Sequence, residues 1–398
     1  MSDNLKYASI IALAGILFFL LGNSVLSSSL NNLTELGREL KTQPTSIQDW
    51  TLSNEAPFKY RVLHKYLVQS TYVLSGQSEN PRVFFTIYKG WALVFYISVL
   101  LSFFYLLKTL KFNNSWSLAG TLFLLLCPPF IMAYSLPVHT REDMLGYTLL
   151  VCGLICIFKN KYILLMACTC AGVLCRETLL VLPLFYMYYA QKETIFKRFL
   201  PLALGILVFV LLRLFIGYER YNLSEGLYWN LDNPEQVIGF GFLTFGFFWL
   251  PFFLMYLRQK GSLEKFSPEV RAIVKSAPWM LGIVIITTFL GGIFNEIRLL
   301  FLSFPWVLIS SLTYMHQKSH VLKIYGSNSN IICYFMPALV LFSILTYFLV
   351  TRADSIIPPS RYPIPFKQWI AFTMLHITLL ILFTKFFFTR ETSKQSIS

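Results

Sequence analysis

Long apolar runs separated by short polar segments make up most of this chain. Many of these runs approach the ~20 residues that a helix needs to cross the ~30 Å hydrocarbon core of a bilayer. The runs are continuous, whereas the strands of a membrane β-barrel alternate apolar and polar residues over segments of ~10 residues. The pattern therefore predicts an all-α, polytopic membrane helix bundle that forms one transmembrane domain over residues 1–398.

The apolar runs predict about 12 membrane segments. The first four are Tyr7–Ser28, Phe84–Leu107, Trp116–Leu136 and Met144–Phe158. The run Tyr162–Ala190 comes next, and the later segments are Phe199–Gly217, Val237–Leu257, Pro278–Phe294, Leu299–Met315, Ile331–Val350 and Trp369–Phe388. Two longer polar stretches between them, Tyr218–Gln236 and Arg258–Lys275, are predicted as loops.

Basic residues orient these segments, because short cytoplasmic loops are enriched in Lys and Arg. The orientation depends on Tyr162–Ala190, which is either one tilted crossing or two short helices that turn at Arg176-Glu177. The second arrangement places every short basic loop on the cytoplasmic side, so we favour it. Both termini are then cytoplasmic, and residues 29–83 form the first outer loop.

Composition supports a membrane protein and argues against a nucleic-acid partner. The chain is 56% hydrophobic and 13% charged, and its net charge is +14. Basic cytoplasmic loops account for this excess without a nucleic acid. In the favoured topology, 14 of the 19 acidic residues lie on or near the outer face, which the bias of Lys and Arg does not require. We interpret this as a functional outer face, although leftover polar residues in outer loops would look the same.

The first outer loop contains the first candidate site. Asp49 and Glu55 are carboxylates that could accept a proton from a sugar hydroxyl, and Arg61 could bind phosphate through its planar fork. Apolar residues at helical spacing follow Tyr60, with charged residues around them, which predicts an amphipathic helix at the membrane interface. An ordinary anchoring helix with solvated charges would show the same spacing.

Further charged residues stand at predicted turns of the outer face. Glu142 and Asp143 could bind a divalent cation through oxygen ligands, or they could cap the next helix. Arg176 and Glu177 interrupt an apolar run, and ionisable residues at membrane depth are usually functional, although a structural ion pair would also explain them. Glu296 and Arg298 occupy a minimal turn between two segments, and Arg361 lies in the last outer loop.

This layout resembles the GT-C superfamily of membrane glycosyltransferases. The matching residues are Asp49 or Glu55 in the first outer loop, residues 58–63 before the interfacial helix, Glu142-Asp143, and Arg176-Glu177 at the short hairpin. The second half matches only in helix number and in Glu296-x-Arg298, and a clear Asp-x-Asp motif is missing.

The resemblance implies that a sugar moves from a polyprenyl-phosphate donor to a lipid- or glycan-linked acceptor on the non-cytoplasmic face. Glu55 or Asp49 would be the catalytic base. The substrate-binding residues would be Arg61, Glu142, Asp143, Arg176, Glu177, Glu296, Arg298 and Arg361.

Three alternatives remain open at this point. One is a polysaccharide polymerase or ligase, another is a transporter or flippase of a lipid-linked or polar solute, and the third is a non-catalytic subunit of a membrane complex. The expected partners are the sugar donor, the acceptor and membrane lipids, with a divalent cation as an optional cofactor. A bacterial inner membrane is the expected location, or the endoplasmic reticulum in a eukaryote.

Overall fold

The described part of the chain is a bundle of α-helices without strands. A computed structural model describes residues 3–30, 60–76, 81–127, 129–130, 142–218, 223–258, 262–292 and 297–322. The first seven helices are α1 (Asp3–Leu30), α2 (Val62–Leu74), α3 (Pro81–Thr109), α4 (Asn114–Leu125), α5 (Glu142–Phe158), α6 (Tyr162–Cys175) and α7 (Val181–Tyr189). The next seven are α8 (Ile195–Ile216), α9 (Leu223–Asp232), α10 (Pro234–Phe245), α11 (Trp249–Arg258), α12 (Pro268–Gly291), α13 (Ile297–Leu300) and α14 (Phe304–Leu322). The 3-10 helices are Glu177–Leu180, Gly246–Phe248, Ser262–Lys265 and Phe301–Ser303.

Apolar length identifies an integral membrane protein. Within the described residues, five helical stretches are long and apolar enough to cross a bilayer. They are Thr86–Thr109, Ile195–Ile216, Val237–Leu257, Pro268–Gly291 and Arg298–Gln317. The apolar stretches Leu5–Leu20, Asp143–Phe158 and Tyr162–Cys175 are helical but shorter.

The last described spanning stretch is the centre of the bundle. In Arg298–Gln317, 89% of the most apolar window is buried. Trp306 of α14 is fully buried and packs edge-to-face against Phe185 of α7. Gly120 of α4 allows close approach of the same helix, because a Cβ at this position would lie 2.9 Å from Leu312.

The predicted turn within Tyr162–Ala190 is confirmed. Helix α6 ends before Arg176, and the chain then returns along α5: Leu182 packs against Gly153, and the rings of Phe185 and Tyr189 lie 6.0 and 5.4 Å from the ring of Phe158. A single straight crossing would carry Tyr189 away from Phe158.

As a result, the described basic loops share one end of the bundle, which we call the Lys159 end. Lys159 donates to the hydroxyl of Tyr105, and Tyr162 donates to the carbonyl of Lys197 at 2.8 Å. Ser267, in the third basic segment, donates to the carbonyl of Leu110. The hairpin interpretation predicts this grouping. We call the opposite end of the bundle, where Asp143 and Arg176 lie, the Asp143 end.

Two segments that we predicted as loops contain helices, so those predictions are wrong. The stretch Tyr218–Gln236 contains α9 and the start of α10. The stretch Arg258–Lys275 includes the first turns of α12, which begins ten residues before the predicted span. Ser267 caps this helix by accepting from the amide of Val270, and Pro268 occupies its first turn. Capping residue and proline together are a helix-start signal that outweighs the charges that follow.

Candidate functional site

The helical backbone is interrupted at Arg176, and this residue lies at the centre of the candidate site. Arg176 is extended, with φ −164° and ψ 127°, between α6 and the 3-10 helix Glu177–Leu180. Its amide still donates to the carbonyl of Gly172, so this amide has a partner although the helix has ended. A bend at this place directs the Arg176 side chain to the first turn of α5.

Asp143 forms ion pairs with two arginines that are far apart in the sequence. Its Oδ1 is ion-paired with Nη1 of Arg176, and its Oδ2 lies 3.5 Å from Nη1 of Arg298. All three residues are buried, with 2% of Asp143, 3% of Arg176 and 7% of Arg298 exposed. The sequence analysis identified each of them separately as a candidate. The fold brings them together in one group, which we call the Asp143–Arg176–Arg298 cluster.

Local structure explains how these side chains are held. Asp143 is the second residue of α5, where a negative charge interacts favourably with the helix dipole. Arg298 belongs to the short helix α13, and its backbone carbonyl accepts a hydrogen bond of 2.9 Å from the buried hydroxyl of Tyr147. Tyr147 lies one turn after Asp143. Helix α5 therefore holds the Asp143 carboxylate directly and the backbone of Arg298 through Tyr147.

The cluster combines two positive side chains with one carboxylate. The guanidinium groups of Arg176 and Arg298 both lie beside Asp143. Buried charges require pairing, because their desolvation is costly. The planar guanidinium groups have a geometry that suits carboxylate or phosphate oxygens.

Arg61 and His64 lie at the start of α2, at the same end of the bundle. Both are buried, with 4% and 1% exposed, and the hydroxyl of neighbouring Tyr60 donates to the carbonyl of Gly217 at 3.0 Å. The His64 ring lies 5.9 Å from that of Phe95, whose carbonyl is 3.5 Å from the hydroxyl of Thr148 on α5. Helix α3 therefore links the start of α2 to the first turns of α5.

The amphipathic helix after Tyr60 is present, but it buries a different face from the expected one. We expected Arg61 to be among the charges that surround an apolar stripe. Instead Arg61, His64 and Val68 are buried, whereas Tyr66 is 63% exposed. Packing against α3, through the aromatic ring of Tyr88 on His64, replaces the solvated arrangement.

The remaining predicted residues contribute little to the described geometry. Glu142 is the first residue of α5, and Glu177 begins the 3-10 helix and is half-buried. The acidic partner of Arg176 is thus Asp143, not its neighbour Glu177. Asp49, Glu55, Glu296 and Arg361 lie outside the described residues.

A metal site at Glu142-Asp143 receives no support from the described side chains. They include no group of three or more His, Cys, Asp or Glu residues that could hold a metal ion. The Asp143 carboxylate is already neutralised by two guanidinium groups, which compete directly with a cation for its oxygens.

Sequence reasoning did not identify Tyr147 or Arg213. Tyr147 occurs in an apolar run, and a tyrosine there is more often core or interface than part of a polar site. Arg213, the single charged residue of the predicted span Phe199–Gly217, did carry a signal, since ionisable residues within spans are rare. Its guanidinium carbon lies 4.3 Å from the ring centre of Tyr60.

Comparison with known proteins gives no relative for this chain. No protein family, no curated protein and no solved structure matches it.

Proposed function

We propose that this integral membrane protein is a glycosyltransferase that uses a polyprenyl-phosphate sugar as donor. The observation that carries the proposal is the buried Asp143–Arg176–Arg298 cluster, in which two guanidinium groups from separate segments meet at one carboxylate. Two guanidinium groups at one end of an apolar bundle suit a substrate that combines a lipid tail with a phosphate.

In the proposed reaction, Arg176 and Arg298 bind the donor phosphate and stabilise its negative charge as the bond to the anomeric carbon breaks. Fixed donors in a site with little water act more strongly than the same groups in bulk water. Arg61, buried at the same end, is a third candidate for the phosphate. The acceptor hydroxyl attacks the anomeric carbon from the opposite face, so direct displacement inverts its configuration.

The base in this proposal is Asp49 or Glu55, not Asp143. One oxygen of the Asp143 carboxylate is paired with Arg176 and the other lies 3.5 Å from Arg298, so this carboxylate is already engaged by two guanidinium groups. Asp143 instead orients Arg176 and Arg298. Asp49 and Glu55 come from the first polar stretch of the sequence, which precedes the buried Arg61.

Reconstituted protein tests the proposal directly. Proteoliposomes receive polyprenyl-phosphate hexose or pentose donors labelled in the sugar, together with membrane lipid acceptors, and release of free polyprenyl phosphate is measured. We expect Asp49→Asn or Glu55→Gln to slow transfer by about 10²–10⁴-fold. Arg176→Gln and Arg298→Gln should each slow it by about 10²–10³-fold.

Lys197→Gln is the matched control, because Lys197 forms an exposed ion pair with Glu193 at the Lys159 end. It should leave transfer unchanged. Movement of an intact donor across the bilayer without release of polyprenyl phosphate would indicate a flippase instead. Full activity in both carboxylate variants would exclude the proposed base.

A further inference from the structure

Helix α8 exposes most of its length, in contrast to the centre of the bundle. Its buried residues are Pro201 and Gly205, whereas Leu214 is 73% and Phe215 is 84% exposed within the described structure. These apolar residues belong to a helix that is long enough to span a bilayer. Such a face suits contact with hydrocarbon, so a charge on this helix lies next to membrane lipid.

Arg213, in the last turn of α8, is fixed between two aromatic rings. Its guanidinium carbon lies 3.5 Å from the ring centre of Phe209 and 4.3 Å from that of Tyr60. Its Nη1 also donates to the carbonyl of Phe209 at 3.4 Å. These contacts fix the guanidinium beside the last two turns of α8, near Gly217, to which Tyr60 donates.

This arrangement leaves most donors of Arg213 available for an anion. Ring contacts engage the face of a guanidinium, whereas its five N–H groups point outward in its plane. One of them is used by the Phe209 carbonyl, and no carboxylate among the described residues pairs with Arg213. The neighbouring hydroxyl of Tyr60 is already donated to Gly217.

We propose that Arg213, held between Tyr60 and Phe209, binds the phosphate of an anionic membrane lipid. A phosphodiester provides the planar pair of oxygens that the fork recognises, and its acyl chains cover exposed residues such as Leu214 and Phe215. The charge that is otherwise costly beside hydrocarbon is then neutralised by the lipid itself. The site lies on the outer surface of the bundle and does not depend on glycosyl transfer.

Lipid retention in nanodiscs tests this site. Full-length protein is reconstituted in phosphatidylcholine with a minor fraction of phosphatidylglycerol, and native mass spectrometry counts the phosphatidylglycerol that remains bound. We expect Arg213→Gln to weaken retention at least about tenfold, since charge-assisted hydrogen bonds are lost. Arg213→Lys, which keeps the charge but loses the fork, should give an intermediate loss.

Tyr60 provides a matched pair of variants. Tyr60→Phe keeps the ring under the guanidinium and should retain lipid like the wild type, whereas Tyr60→Leu removes it and should weaken retention. Diacylglycerol with the same acyl chains should not be retained, and inorganic phosphate should not displace the lipid.

Equal retention by wild type and Arg213→Gln would overturn the proposal, as would a wild type that retains no phosphatidylglycerol. Displacement by inorganic phosphate would identify a free-anion site instead. A thermal denaturation midpoint for each variant accompanies these measurements. If Arg213→Gln does not fold, lipid retention by Arg213→Lys is compared with that of the wild type instead.

Discussion

Arg176 and Asp143 form a buried ion pair although 33 residues separate them in the sequence. The pair exists because the apolar segment Tyr162–Ala190 turns back on itself, which brings Arg176 to the first turn of α5. Breaking a buried ion pair is costly, since one charge stays buried without compensation. The relationship therefore has consequences for both stability and substrate binding.

Asp143→Asn should destabilise the protein by about 3–5 kcal/mol, because Arg176 and Arg298 would lose their shared carboxylate. The free energy of unfolding in detergent micelles, followed by denaturant titration, measures this effect. Glu177→Gln is the control, because Glu177 is half-buried and forms no ion pair among the described residues. It should change the unfolding free energy by less than about 0.5 kcal/mol.

Double-mutant cycles distinguish the two arginines. Asp143 should couple more strongly to Arg176 than to Arg298, since the contact with Arg176 is a direct hydrogen bond and the second pair is 3.5 Å apart. Coupling energies of roughly 0.5–3 kcal/mol are expected for groups in one network. A larger coupling for Arg298 would contradict the geometry described above.

Much of the bundle was predictable, because hydrophobic length and the bias of basic loops are local signals. They were sufficient to predict the helical class, the turn at Arg176 and the grouping of basic loops at one end. The cluster itself was not predictable as a unit. Arg176, Asp143 and Arg298 were each nominated, but which carboxylate pairs with which arginine depends on how α5, α6 and α13 pack. Charge alone equally allowed Arg176 to pair with Glu177.

The burial of polar side chains was the second feature that the sequence did not predict. Spacing predicted an amphipathic helix after Tyr60 but placed Arg61 on its charged surface. Its burial results from packing of α2 on α3, a tertiary contact that helical periodicity does not encode. The missed start of α12 is different, because Ser267 and Pro268 were a readable signal.

Gly153→Ala should destabilise the hairpin by roughly 1–3 kcal/mol, since overpacking forces neighbouring side chains to move. A Cβ at Gly153 would clash with a methyl carbon of Leu182 and would lie 3.1 Å from its Cγ. Gly282→Ala is the matched control, because a Cβ there meets nothing within 4 Å, and it should be neutral or stabilising. Adding Leu182→Ala to Gly153→Ala should relieve the clash, so the two substitutions should not be additive. Unfolding in micelles is measured for the wild type, for Gly153→Ala, Leu182→Ala and Gly282→Ala, and for the double variant.

Cysteine labelling in sealed membrane vesicles tests whether Tyr162–Ala190 doubles back. Asn160→Cys and Lys192→Cys should react with a membrane-impermeant maleimide from the same side, and Asp232→Cys from the opposite side. All three positions are exposed. The wild type measures the background from native cysteines. Labelling of Lys192→Cys from the side opposite to Asn160→Cys would mean that Tyr162–Ala190 crosses once.

Asn230→Ala should weaken the segment that leads to Arg298. The Asn230 side chain is buried and donates to the carbonyls of Phe289 and Gly292, at 3.0 and 2.9 Å, at the end of α12. Loss of these bonds leaves two carbonyls without this donor, which should cost about 1–3 kcal/mol of unfolding free energy. Because Gly292 lies against Leu299, directly after Arg298, the same variant should also slow the proposed transfer reaction.

Asn233→Ala is the comparison for this variant. Asn233 donates to the carbonyl of Trp229, four residues earlier in the same segment, and is only half-buried. The Asn233→Ala substitution should lower the free energy of unfolding by less than about 1 kcal/mol, within the range of an ordinary hydrogen bond. If both asparagine variants lose the same unfolding free energy, the two bonds between α9 and α12 contribute no more than a local hydrogen bond. If Asn230→Ala loses stability but keeps full transfer, the position of Arg298 does not depend on the contact between α9 and α12.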